Sequence, residues 1–419
     1  MTHGEYWSSF IVPLVGVLSL LSLYLMLGRP RRAWTHWLFL TVLLQLDWFS
    51  DFQGFFHQEQ ELELYWLMRS QVRLMWFSCL LLWTPKWASR WFLILVVVQM
   101  ACRILVPLQS PHPDIDVYVI GTQGADRLLR GVNPYVGEYP EAYQPKYGYR
   151  AIYLYWPTGL LLESAFRGLT GDIRYSLVAA ELGTVVLLYL WLPGHPMRRW
   201  LWILAWLTLP TQLVVLEKAW IEPIQIFFYL LPLWFIQCNR PWWAGLSLGL
   251  LCGVKQTAIF LPLLLLPYFG RKFGRSATLR AVAACLVGFL LVVLPFAVAD
   301  WSWFYASTIE ALLKLPPRYD SLNLTSHLHH LGLPFLNGPG YGLVLLVSLV
   351  GLLSWLRGQP ELSRTLAATF AFYCLLFLCG KQAFLNYYVF LVFLLLVTLA
   401  ESERSLVQQE RTPVETRPS

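Results

Sequence analysis

Apolar runs of membrane-spanning length recur from Phe10 to Ala400, and they restrict this chain's folds more than any other feature. A helix needs about 20 consecutive, mostly apolar residues to cross a hydrocarbon core of roughly 30 Å. The clearest runs lie at 9–28, 36–56, 70–84, 91–108, 176–192, 200–216, 221–237, 242–254, 256–270, 280–299, 339–356, 365–380 and 383–399. With 57% hydrophobic and 13% charged residues, a water-soluble fold would strand more apolar surface than it could bury. The runs are rich in Leu, Trp and Phe and lack two-residue alternation, so helices fit and a lipid-facing barrel does not. The expected fold is all-α, a polytopic helical membrane protein of about 13 transmembrane helices. The first run has no clear small-residue cleavage site and reads as a retained helix.

Lys and Arg in the short loops predict the topology. One alternating parity puts Arg29, Arg31, Arg32, Lys86, Arg90, Arg198, Arg199, Arg240, Arg271, Lys272, Arg275, Arg357 and Arg364 on the cytoplasmic side. The N-terminus is then outside and the C-terminus cytoplasmic. This parity requires the segment from Tyr153 to Arg167 to be a re-entrant or interfacial helix, which Pro157, Glu163 and Arg167 favour. The outer loop 109–175, the turn from Glu217 to Pro223, the pair Lys255 and Gln256, the loop 300–338 and the turn from Gly380 to Gln382 collect on the outer face. Five polar insertions on one face are the arrangement of an active site at a membrane surface. The polar tail 401–419 contains Pro413 and Pro418 and is expected to be disordered in the cytoplasm. A net charge of +7 suits cytoplasmic loops against anionic lipid, not nucleic-acid binding.

The outer loop carries Asp114 and Asp116, whose spacing can hold a divalent ion on a diphosphate. A single carboxylate also serves as a general base, taking the proton of a sugar hydroxyl as the bond to an activated anomeric carbon breaks. That chemistry requires no metal, and the spacing alone does not name an ion. Lys218, Lys255 and Lys381 sit near outer helix ends, where an ammonium can meet a lipid-linked phosphate. Lys255 has apolar sequence on both flanks, and a lysine at mid-membrane costs about 2.5–3.5 kcal/mol. Snorkelling explains Lys381 more easily. Gln256 and Gln382 follow two of these lysines and add a two-way hydrogen-bonder. Glu222 precedes Pro223 and reads either as a helix N-terminal carboxylate or as a sugar-hydroxyl ligand. His327, His329 and His330 crowd too closely for one regular-helix metal site, and the cysteines form no CxxC.

Asp116-Val117-Tyr118, Leu128 through Tyr135 (LLRGVNPY) and Tyr153-Leu154-Tyr155-Trp156-Pro157 together resemble the first outer loop of the multi-spanning C-type glycosyltransferases. The closest likeness is to the polyprenyl-phosphate-mannose-dependent mannosyltransferases of glycosyltransferase family 87. The stretches around Lys255-Gln256 and from Lys381 to Asn386, Tyr387 and Tyr388 look like family elements at helix margins. The resemblance implies Asp116 as catalytic base, Asp114 as the secondary candidate, and Lys218, Glu222, Lys255, Gln256, Lys381, Gln382, Tyr155 and Asn386 as donor-phosphate or substrate-binding residues. It implies transfer of a mannose or another hexose or pentose, with inversion, from a polyprenyl-phosphate donor to a lipid-linked or glycan acceptor. The setting would be the outer face of a bacterial inner or plasma membrane, with no cofactor named and dependence on a divalent metal left open. Residues 86–400 would form the transferase-like membrane domain and residues 1–85 an added set of N-terminal helices, because the family's Asp loop usually follows its first helix. The alternative is a lipid or polysaccharide transporter with its buried charges on a central path, although no inverted repeat is evident.

Overall fold

The computed structural model describes residue 17 and residues 85–411, apart from 114, 140–149, 193, 195, 210, 335–337, 359 and 360. The runs at 9–28, 36–56 and 70–84, the added N-terminal unit and Asp114 therefore fall outside the described residues, save Val17. Among the described residues all regular structure is helical. In chain order the first helices are α1 (Pro85–Gln109), α2 (Asp116–Leu129), α3 (Pro157–Thr170), α4 (Arg174–Trp191), α5 (Pro196–Leu207) and α6 (Thr211–Glu217). Next come α7 (Glu222–Gln237), α8 (Pro241–Cys252), a 3-10 turn at Gln256–Ile259, and α9 (Phe260–Ala299). The short α10 (Trp301–Tyr305) and α11 (Ala311–Lys314) flank a π-helical turn at Ala306–Glu310. The chain finishes with α12 (Leu324–His330), α13 (Gly338–Gly358), α14 (Leu362–Leu378) and α15 (Leu385–Arg411).

The helical class holds, but the expectation of about 13 crossings does not. Among the described residues five helices are long and apolar enough to cross a membrane, or six if the bent pair α6 and α7 is one span. Apolarity marks where helices lie without fixing their lengths. The run 200–216 is split between α5 and α6, and 242–254 yields a helix of only 12 residues. The runs 256–270 and 280–299 lie in one element interrupted at Gly274, whose φ of 75° is open to glycine and strained for other residues. Helix α15 runs on to Arg411, into the segment expected as a disordered tail, so only its last residues lie outside the described part.

The interior is held by close backbone contact and by buried charge. Helices α8 and α9 meet through glycines. A Cβ on Gly245 would lie 2.1 Å from the Ala281 carbonyl oxygen, one on Gly249 2.1 Å from that of Cys285, and one on Gly288 2.4 Å from that of Leu246. Small residues at such a seam let two membrane helices approach closely. Arg103 of α1 is fully buried and pairs with Glu181 of α4, and its Nη2 donates to the Leu207 carbonyl and the Gln212 side chain. Leu290, Leu291 and Leu294 of α9 and Leu343, Leu346 and Val347 of α13 are exposed. Contiguous apolar exposure on long helices is the mark of a lipid-facing surface.

The segment before and through α3 is tied to the membrane helices. Pro157 at the first position of α3 needs no hydrogen bond, and Gly171, at φ 85°, ends the helix. The Thr158 backbone N–H donates to the Gly253 carbonyl at 2.8 Å and its hydroxyl to the Leu250 carbonyl at 2.9 Å, joining α3 to the end of α8. Tyr135, Tyr153, Phe296 and Phe304 pack as a buried aromatic cluster beneath the loop.

Candidate active site

Three interruptions in the helices meet at one end of the bundle. Between α6 and α7 the chain turns through 113°. Ala219 takes φ 54° there, in the left-handed region that residues with a Cβ enter at a cost. This turn puts Glu217 at the end of α6, Lys218 within the break, and Glu222 at the start of α7, where the helix dipole favours an anion. The second interruption follows α8, where Lys255 is extended (φ −146°, ψ 140°) before the 3-10 turn. The third is the turn between α14 and α15, which brings in Asn386 on the first turn of α15.

Glu222, Lys255 and Asn386 converge although far apart in sequence, and all three are buried. Glu222 Oε1 accepts from Lys255 Nζ at 2.7 Å and from Asn386 Nδ2 at 2.8 Å. The Lys255 ammonium also lies 4.1 Å from the ring centre of Tyr387 and 5.8 Å from that of Tyr155, within cation–π range. Burial raises the Tyr155 phenol well above its usual pKa, and the charges of Glu222 and Asp116 push it the same way. Asp116 is thus within electrostatic reach of the ring that flanks Lys255. It opens α2, half-buried, and its Oδ1 accepts from the Val117 N–H at 2.8 Å.

Beside this centre lies a second one. Glu217 Oε1 accepts from the Ser110 hydroxyl at 3.0 Å and from Lys218 Nζ at 3.2 Å, with both charges almost fully buried. Arg174, fully buried at the head of α4, donates to the carbonyls of Ser110 at 2.7 Å and Pro107 at 3.2 Å, pairs with Asp172 at 2.6 Å, and lies over the Tyr118 ring. It locks the end of α1 to the α6 break.

The remaining expected residues separate. Gln256 Nε2 donates to the carbonyls of Leu154 at 2.7 Å and Thr308 at 2.9 Å, strapping the outer segment to the π turn. Lys381 Nζ donates to the carbonyls of Leu313 at 2.6 Å and Leu315 at 3.1 Å, away from the Glu222 centre. Gln382 is half-buried in the same turn. A cavity of about 270 Å³ lies beneath this strap, between Leu154, Glu310 and Leu315. His329 stacks on Tyr319, and among the described residues no three His, Cys, Asp or Glu side chains gather as metal ligands.

Sequence reasoning missed Arg174, Asp172 and Ser110. Arg174 stands at the edge of an apolar run as Lys255 does, and the same criterion would have found it. Glu163, one of the marks of a re-entrant or interfacial helix, is buried and accepts from the Tyr153 hydroxyl at 3.2 Å. Burial raises its carboxyl to about 7.

The model of glycosyltransferase family 87 matches residues 153–380. The match contains Tyr155, Lys218, Glu222, Lys255 and Gln256. It begins after Asp116 and the LLRGVNPY stretch and ends before Lys381, Gln382 and Asn386. No curated protein and no solved structure matches the chain. Since the match covers more than half of the 419 residues, on helices that carry buried charges at their breaks, this membrane protein belongs to glycosyltransferase family 87.

Proposed function

We propose that the protein transfers a sugar from a polyprenyl-phosphate donor to a lipid-linked or glycan acceptor at the outer face of the membrane, with inversion at the anomeric carbon. Mannose is the first donor sugar to test, from the likeness of the outer loop to the mannosyltransferases. One observation carries the reading: in a family 87 domain, buried Glu222, Lys255 and Asn386 meet at helix breaks, and the charge of Asp116 acts on the Tyr155 ring that flanks Lys255. Broken helices at a polar centre are a recurrent way to bind a charged ligand at membrane depth.

In this mechanism the donor phosphate lies by the ammonium groups of the two breaks, Lys218 and Lys255. The acceptor hydroxyl lies by Asp116, which takes its proton as the new carbon–oxygen bond forms. The bond from the anomeric carbon to the phosphate oxygen breaks in the same displacement, and polyprenyl phosphate leaves with that electron pair. One displacement inverts the centre. Purified protein in vesicles, given a polyprenyl-phosphate mannose and candidate acceptors, tests the reading. Asp116→Asn should lower turnover by at least about 100-fold with unchanged yield and thermal midpoint. Turnover like that of the unsubstituted protein would remove Asp116 from the role of base.

A further inference from the structure

The buried Glu222 centre has an asymmetry that the pairing with Lys255 does not explain. Glu222 Oε1 accepts two hydrogen bonds, whereas Glu222 Oε2 accepts none. Asn386 Oδ1 is likewise without a partner. Glu222 is 1% exposed and Asn386 3%, so bulk water does not satisfy either atom. A buried acceptor left unpaired costs about 1–3 kcal/mol, and two on one hydrogen-bonded pair of side chains mark a place where a ligand completes the bonding. The Asn386 orientation is not arbitrary. A carboxylate only accepts, so the amide NH2 must face Glu222 Oε1, which leaves the amide oxygen as the open atom.

Both open atoms are acceptors, and this selects the ligand chemistry. A phosphodiester at neutral pH also offers only acceptors and cannot complete them. A pair of hydroxyl groups on a sugar ring can, each donating one hydrogen bond. Resting on the transferase reading above, we infer that Glu222 and Asn386 form the reader of the donor sugar's ring hydroxyls. Lys255 then holds Glu222 Oε1 turned toward it, and its ammonium joins the hydroxyl reader to the phosphate on the adjoining carbon. That link assigns the pair to the sugar being transferred and not to the acceptor. The half-buried rings of Tyr155 and Tyr387 flank Lys255.

The test uses the purified full chain in nanodiscs and four probes: a short-chain prenyl-phosphate mannose, its 2-deoxy and 3-deoxy counterparts, and the same prenyl phosphate without sugar. The unsubstituted protein should bind at least one deoxy donor about tenfold or more weakly than the complete one, because a site built for a hydroxyl rejects its absence. Glu222→Gln and Asn386→Ala should each bring that ratio to about two or less, and Asn386→Ala, which leaves the Lys255–Glu222 pair in place, should bind sugar-free prenyl phosphate within about threefold of the unsubstituted level. Equal binding of the mannose and both deoxy donors overturns the inference and leaves the transferase reading standing. So does a tenfold ratio that survives in both variants. If the unsubstituted protein binds none of the four probes, the transferase reading fails and the inference with it. The ratio measured on the unsubstituted protein decides the matter even where a substitution unfolds the site.

Discussion

Lys255 and Glu222 are a buried pair, and the loss of one partner is a different event from the loss of both. Lys255→Met leaves the Glu222 carboxylate without its counter-charge, which costs about 3–5 kcal/mol for pairs of this kind. Lys255→Met combined with Glu222→Gln removes the unpaired charge and should recover most of that loss. Thermal unfolding in detergent checks both, and a single variant as stable as the parent would show that the pair does not form. Lys255→Met should also raise the KM for the lipid-phosphate donor more than that for the acceptor. Glu163 gives a pH dependence of defined sign. Its folded pKa of about 7 lies above the usual carboxylate value, so the folded state holds the proton that the unfolded state gives up. Its contribution is fully present below about pH 4 and is lost as pH rises to about 7, a fall on the order of 3 kcal/mol. Glu163→Gln should flatten thermal stability across that window, and an unchanged pH profile would mean that the carboxyl ionises as it does in water.

The elements show which features the sequence could reveal. Glycines spaced along α8 could be read, but the α9 backbone lying against them could not, since that contact depends on the path around the intervening turn. Gly249→Leu should cost at least the roughly 1–3 kcal/mol of an overpacked interior, because its Cβ would already stand 2.1 Å from a backbone carbonyl oxygen. Gly270→Ala has open space around it and should stay within about 0.5 kcal/mol; equal losses at the two positions would contradict the close seam. The pairs Lys255-Gln256 and Lys381-Gln382 look equivalent as sequence. They differ because Lys255 meets a carboxylate brought in by the α6–α7 break, while Lys381 meets only the carbonyls of Leu313 and Leu315. A lysine at a helix end does not announce its distant partner. Helix positions were legible from apolarity, as was the turn between Glu217 and Pro223, whereas helix lengths were not, because α5 ends at Leu207 inside the run 200–216 that hydropathy reads as continuous.

The whole molecule has two chemically different ends. Helices α4, α7 and α15 begin at the site, with Arg174, Glu222 and Asn386 in their first turns. Their far portions meet a basic group. Arg404 on α15 donates to the Trp191 carbonyl at the end of α4, and Lys272 donates to the Ile236 carbonyl near the end of α7 at 2.8 Å. Arg199 lies close enough to Arg404 for their charges to act on each other. Short basic loops are retained on the cytoplasmic side, and on that rule we propose that the opposite end, with Asp116 and the Glu222 centre, faces outside. Two positions report on this directly. Cys238, exposed after α7, stands at the basic end, and Leu169, 79% exposed, stands near the end of α3, shortly before Arg174 at the head of α4. In intact cells a membrane-impermeant maleimide should leave Cys238 unlabelled until the membrane is permeabilised. Leu169→Cys, in a Cys238→Ser background, should label without permeabilisation. Labelling of Cys238 from outside would reverse the orientation and put the sugar-transfer centre on the cytoplasmic face, where a nucleotide-activated donor is as accessible as a lipid-linked one.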